Sequence, residues 1–169
     1  MIARSRTLCL LALLAAAIST ALLAPVFGEN ARAQTAAPVS SGATPADPLA
    51  DTERATFPLC GRGPRITCIV DGDTIWYQGT KIRLADIDTP EVTRPACPRE
   101  AALGKQATLR LQTLLNAGAF TLAPNPEGRD TDRYGRALRV VTRGGASVGD
   151  VLVAEGLAEV WGGVPVAWC

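Results

Sequence analysis

Between Arg65 and Asp88 the chain packs three segments of strand-like residues end to end with almost nothing between them. "RITCIVDG" (Arg65–Gly72) and "TIWYQ" (Thr74–Gln78) alternate and are rich in β-branched side chains, with Gly72 as a turn between them. "TKIRLADID" (Thr80–Asp88) sets Ile82 and Leu84 against Lys81 and Arg83. A helical period follows from about Arg99 to Asn116, with Ala107, Leu111, Leu114 and Leu115 on one face and Gly118 closing it. "AFTLA" (Ala119–Ala123) and "RALRVVT" (Arg136–Thr142) read as further strands, separated by the polar loop Pro124–Gly135. A second helix is predicted from Ser147, whose hydroxyl can cap it with Asp150 three residues on, to Gly156, and "LAEVW" is a last short strand. Five strands with a helix inserted after the third predict an α+β, mainly β fold: a small closed barrel rather than a βαβ sheet.

The segments before this pattern are not expected to join such a core. Arg4 and Arg6 precede an apolar run from Leu8 to Phe27, and small residues then end in "ARA" at Ala31–Ala33. This is the layout of a secretory signal peptide, residues 1–33, cleaved after Ala33; an uncleaved anchor over 8–27 is the competing reading. Residues 34–58, rich in Ala, Pro, Ser and Thr without an apolar period, read as a disordered linker. The folded domain is expected over 59–169, periplasmic or secreted. Removing Arg4, Arg6, Arg32 and Glu29 turns 17 basic and 16 acidic residues into 14 and 15. That balance excludes a polybasic coat, so any polyanion must be held by locally placed arginines.

Cys60, Cys68, Cys97 and Cys169 lie in the expected domain, and the chain has no histidine. Two disulfides fit an exported chain better than a metal cluster, since no C-x-x-C spacing occurs. Of three possible pairings, Cys60–Cys68 across the "GRGP" turn with Cys97–Cys169 is preferred.

Three short motifs carry the chemistry. "DGDT" (Asp71–Thr74) alone is a tight turn, "DTPE" (Asp88–Glu91) alone is a helix or turn start, and "DRYGR" (Asp132–Arg136) alone is a loop running into a strand. Together they say more. If the second and third strands are neighbours, Asp73 and Asp88 approach one end of the barrel, with Glu91 a turn beyond. Oxygen ligands without imidazole or thiolate suit a hard cation, Ca²⁺ or Mg²⁺. Arg83 and Arg136 beside a metal and a carboxylate base would suit a phosphodiester.

"VDGDT", "IRLADIDTPE" and "DRYGRAL…GGASVGDVLVAEGLAEVW" resemble, in order and spacing, the staphylococcal nuclease (thermonuclease) family, over roughly Arg65 to Trp161. The resemblance implies an OB-fold five-stranded β-barrel with packed helices. It also implies a calcium-dependent nuclease that cuts the P–O5′ bond of single-stranded DNA and RNA to leave 3′-phosphate ends; a monomer without a stable protein partner is expected. By position, Asp73 and Asp88 resemble the calcium carboxylates, Thr89 a ligand through its carbonyl, and Asp71 an acid behind them. Glu91 matches the general base, Arg83 and Arg136 the phosphate-binding pair, and Tyr134 the tyrosine beside the terminal phosphate.

The chain also departs from the family. The loop "YQGTK" (Tyr77–Lys81) is short, and Asp86 replaces an apolar residue and is expected to face outward. No counterpart of the family's C-terminal helix is expected, and the Cys97–Cys169 bond would stand in for it. The alternative function is a non-catalytic nucleic-acid- or protein-binding module of the cell envelope. Degenerate copies of this domain lose the carboxylates or the arginines, whereas Asp73, Asp88, Glu91, Arg83 and Arg136 are all kept here.

Overall fold

The structure, a computed structural model, describes residues 50–169. The expected signal peptide and the first part of the expected linker lie outside the described residues. The main sheet contains β1 (Cys68–Ile69), β2 (Thr74–Tyr77), β3 (Thr80–Leu84), β5 (Thr121–Pro124), β6 (Ala137–Arg143) and β7 (Ala146–Ser147). Its path runs β1-β2-β3-β6-β5, with β7 paired to β6, and β4 (Ile87–Asp88) forms a separate ribbon with β8 (Glu159–Val160). The pairs are antiparallel except β3–β6, which runs parallel with Arg83 opposite Leu138. Helices α1 (Pro98–Asn116) and α2 (Val148–Ala154) complete an α+β architecture.

This differs from the expected closed barrel, because among the described residues no ladder joins edge strands β1 and β5. The segment before β1 reaches both edges instead. Glu53 exchanges two main-chain hydrogen bonds with Phe120, while Pro58 and Cys60 bond to Ile69. Phe57, between them, is fully buried against Tyr77 and Phe120. Its carbonyl and N–H are both taken by Asn116, and Tyr77 Oη donates to Glu53 at 2.6 Å. Residues 50–58 therefore belong to the folded unit rather than to a linker. Their polar composition hid one aromatic side chain that the core needs.

Another difference positions the site. "TKIRLADID" is expected as one strand, but it breaks at Ala85–Asp86. The Ala85 N–H still pairs with Arg139, whereas the Asp86 carbonyl accepts the Trp161 N–H, so the chain leaves the main sheet for β8. Asp86 does not face outward. Its Oδ2 accepts the Ser147 hydroxyl at 2.5 Å, and Ser147 Oγ caps α2 by accepting the Gly149 N–H. Ser147 caps as expected, but the carboxylate that completes the cap is Asp86 rather than Asp150. Gly149 permits this approach, because a Cβ there would lie 2.7 Å from Asp86 Oδ2.

The core lies between the sheet and the helices. Leu111 and Leu115 of α1 and Leu152 of α2 pack with Ile75, Ile82, Leu84 and Val141, all buried, while Ala107 is buried and Leu114 is partly buried at the margin. Both preferred disulfides are present, Cys60–Cys68 and Cys97–Cys169. Among the described residues no helix is long and apolar enough to cross a membrane.

Candidate active site

The β1–β2 turn delivers Asp71 and Asp73, β3 delivers Arg83, and the end of β4 with the loop beyond it delivers Asp88, Thr89 and Glu91. Arg136 enters from the polar loop just ahead of β6. All seven line one open cavity of about 210 Å³, with Trp161 at its wall. The convergence follows from register: Thr74 pairs with Arg83 across β2–β3, and the parallel partner of Arg83 is Leu138, two residues beyond Arg136.

Arg83 is buried and sits between the carboxylates. Its Nη1 lies 3.2 Å from Asp73 Oδ2 and its Nη2 2.6 Å from Asp88 Oδ1. Nη1 also donates to the carbonyls of Leu84 and Ile87, at 2.7 and 2.8 Å. Two main-chain carbonyls and Asp88 thus hold Arg83, and among the described residues no partner binds Nε. The positive charge between the clustered acids is, in part, this guanidinium. The Trp161 ring covers it, with its centroid 5.1 Å from Cζ.

Asp73 is buried and fully engaged: Oδ1 accepts the Thr74 hydroxyl at 2.8 Å, and Oδ2 accepts the Thr89 hydroxyl at 3.1 Å. Burial, then the charge of Asp73, pushes the Asp71 carboxyl up to about 6. Burial also raises Asp88, helped by Asp73 and Glu159 and opposed by Arg83. Asp132 is likewise pushed up by burial. Even so, the Arg136 main-chain N–H and guanidinium and the Tyr134 N–H together hold it below the usual carboxylate range.

The donor set bears on the expected metal. Among the described residues no group of three or more His, Cys, Asp or Glu side chains is placed to hold a metal ion. Asp73 and Asp88 nonetheless share a cavity with Asp71, whose carboxyl is pushed up to about 6 by burial and the Asp73 charge. Only oxygens are offered, so the chemistry fits a hard divalent cation that keeps water among its ligands.

Arg136 donates from Nε to Asp132 Oδ2 at 2.6 Å and from Nη1 to Thr74 Oγ1 at 3.4 Å. Glu91 is exposed at the rim. Tyr134 does not line this cavity. It stands 69% exposed in an adjoining one of about 380 Å³, with the Arg133 and Arg136 guanidinium groups 4.8 and 5.6 Å from its ring. Arg83, Arg136 and Trp161 line both spaces. Sequence reasoning missed Trp161. The only signal was a large aromatic at the end of an exposed strand, which reads equally well as an edge of the core.

Comparison with known proteins bears on the family. The chain is 40% identical over 96 residues to "Endonuclease YncB" of Bacillus subtilis (strain 168), covering 54% of this chain and 44% of that protein. It is 41% identical over 96 residues to the "SPbeta prophage-derived endonuclease YokF" of the same organism, covering 54% and 31%. It is 30% identical over 111 residues to the "Thermonuclease" of Staphylococcus intermedius, covering 63% and 64%. The chain thus matches less than half the length of the two Bacillus subtilis relatives. The model of the staphylococcal nuclease homologue family matches residues 81–165, from the start of β3 to beyond β8. By that match, over half its length, the chain belongs to the staphylococcal nuclease homologue family.

Proposed function

We propose that this domain is a calcium-dependent endonuclease that hydrolyses single-stranded DNA and RNA and leaves 3′-phosphate ends. The observation that carries the reading is the shared cavity: four acids and two arginines from separate parts of the chain line it together. The reading includes the family's OB-type barrel, supported by residues 53–59 pairing with both open sheet edges. Two disulfides favour an oxidising compartment, hence export, and the substrate is the only partner invoked.

Each residue then has a task. Asp73, Asp88 and the Thr89 carbonyl would hold calcium, with Asp71 behind them. When bound, the ion neutralises charge growing on a phosphate oxygen. A guanidinium has five N–H donors. The fold uses three of those on Arg83, which leaves Nε–H and one Nη2–H, enough for one two-point clamp. Arg136 keeps Asp132 through Nε and has Nη2 for a second phosphate oxygen. Glu91, exposed at the rim, takes the proton of the attacking water. Tyr134 and Trp161 border the path along which the nucleotide leaves the cavity.

The second reading, a non-catalytic binding module, has one observation in its favour: Arg83 already pairs with Asp73 and Asp88, so the site is partly self-neutralised. A gel assay on single-stranded DNA separates the two. Cleavage is expected with calcium, abolished by EDTA and not restored by zinc, since the site offers neither nitrogen nor sulfur. Binding without cleavage would favour the module, and full-rate cleavage in chelator would remove the metal from the mechanism.

A further inference from the structure

Glu91 is exposed, and among the described residues its carboxylate has no hydrogen-bond partner, so its aim is set by where the main chain holds it. What holds that main chain is Glu100, in the first turn of α1. Glu100 is only 8% exposed, and a buried carboxylate is costly unless its oxygens are bonded. Oε1 accepts the Glu91 N–H at 3.3 Å and Oε2 the Ala96 N–H at 2.5 Å. The two ends of the loop from Glu91 to Ala96 therefore hang on one side chain.

One helical turn on, Gly104 lets the same loop lie against the helix. A Cβ there would stand 2.6 Å from the Pro90 carbonyl, 3.1 Å from that of Glu91 and 3.0 Å from Val92 Cγ2. Glu100 thus grips the N–H groups of the loop while Gly104 gives room to its carbonyls. An acid in a first helical turn usually serves its own helix N-terminus, but the side-chain acceptor for the Glu100 N–H is Cys97 Sγ, and the Glu100 carboxylate points away to the loop.

We infer that Glu100, with Gly104, is a positioning residue that sets the general base Glu91 against the attacking water. The inference rests on the proposed nuclease reading. A misplacement of about 1 Å can cost about 100-fold in rate, and an exposed base on an unanchored loop would wander at least that far.

Single-turnover and steady-state kinetics of the full chain, its Glu100→Gln and Glu91→Gln variants and the double variant test this. Glu100→Gln keeps the shape but turns one acceptor into a donor facing an N–H. Its kcat is expected to fall about 10- to 100-fold with KM nearly unchanged, and no further loss should appear once Glu91 is already Gln. Equal losses in both backgrounds, or an unchanged kcat, would overturn the inference and leave Glu100 a structural group. If Glu100→Gln does not fold, Gly104→Ala perturbs the same cradle from its carbonyl side, and the same dependence on Glu91 is required of it. A parent chain inactive on single-stranded DNA with calcium would refute the proposed function and this inference together. An active parent with additive effects would refute the inference alone.

Discussion

Replacing Arg136 with Lys keeps the charge and removes the fork, and the structure says what that should cost. Arg136 Nε is committed to Asp132 at 2.6 Å while its Nη atoms line the cavity, so one side chain reaches two places. Lysine has a single nitrogen, which can keep Asp132 or enter the cavity but not both. Either choice removes a preorganised donor from the developing charge, a loss of about 10²–10³-fold in kcat. Because the interaction strengthens in the transition state, KM should move little. Folding should be nearly unaffected. Asp132 keeps the main-chain N–H groups of Tyr134 and Arg136, so no charge is stranded and the loss should stay near about 1 kcal/mol. The assay is steady-state cleavage of a fluorogenic single-stranded oligonucleotide with calcium, with circular dichroism to establish the fold. An Arg136→Lys protein that is folded and retains more than about half of the parent kcat would refute the clamp. The second phosphate ligand would then have to be sought among Arg129, Arg133 and Arg139.

Other consequences are open to measurement. Because the folded-state pKa of Asp71 is raised to about 6, its neutral form stabilises the metal-free fold at low pH, and that contribution is lost as pH rises through about 6. In EDTA, Asp71→Asn should therefore raise Tm at pH 7.5 and leave it unchanged near pH 4; equal effects at both would refute the burial argument. Calcium affinity, followed by calorimetry, should weaken as pH falls below that same value. Phe57→Ala should destabilise the domain by about 3–5 kcal/mol in urea melts, a loss a flexible linker would not show. No reactive thiol from Cys60, Cys68, Cys97 or Cys169 should appear under denaturing, non-reducing conditions, and each disulfide should contribute about 2–5 kcal/mol.

Much of this site was legible because its residues sit in contiguous strings. "DGDT", "DTPE" and "DRYGR" each carry their side chains at a strand end, where local alternation already fixes direction. What escaped sequence reasoning depended on partners far along the chain. Asp86 reads as an outward strand residue until Ser147, 61 positions on, supplies its hydrogen bond. Phe57 is one aromatic in a polar stretch, and its burial depends on Tyr77 and Phe120. Glu100 has the composition of any first-turn acid, and only the fold turns it toward Glu91. The closed barrel was inferred by counting strands, but the count left out the segment of residues 53–59 that bridges the two sheet edges.

The Cys97–Cys169 bond spans 72 positions and makes residues 97–169 a covalent ring. Tyr134, Arg136 and Trp161 ride on that ring, whereas Asp71, Asp73, Arg83, Asp88 and Glu91 lie outside it. The loop from Pro126 to Thr131 is exposed throughout and open to a protease. One cut there opens the chain without dividing the molecule. Both pieces stay joined through sulfur, and the parallel pairing of β3 with β6 remains to hold the arginines over the same cavity. A nick in that loop is then survivable damage, and sensitivity to it should appear only when a reductant is also present.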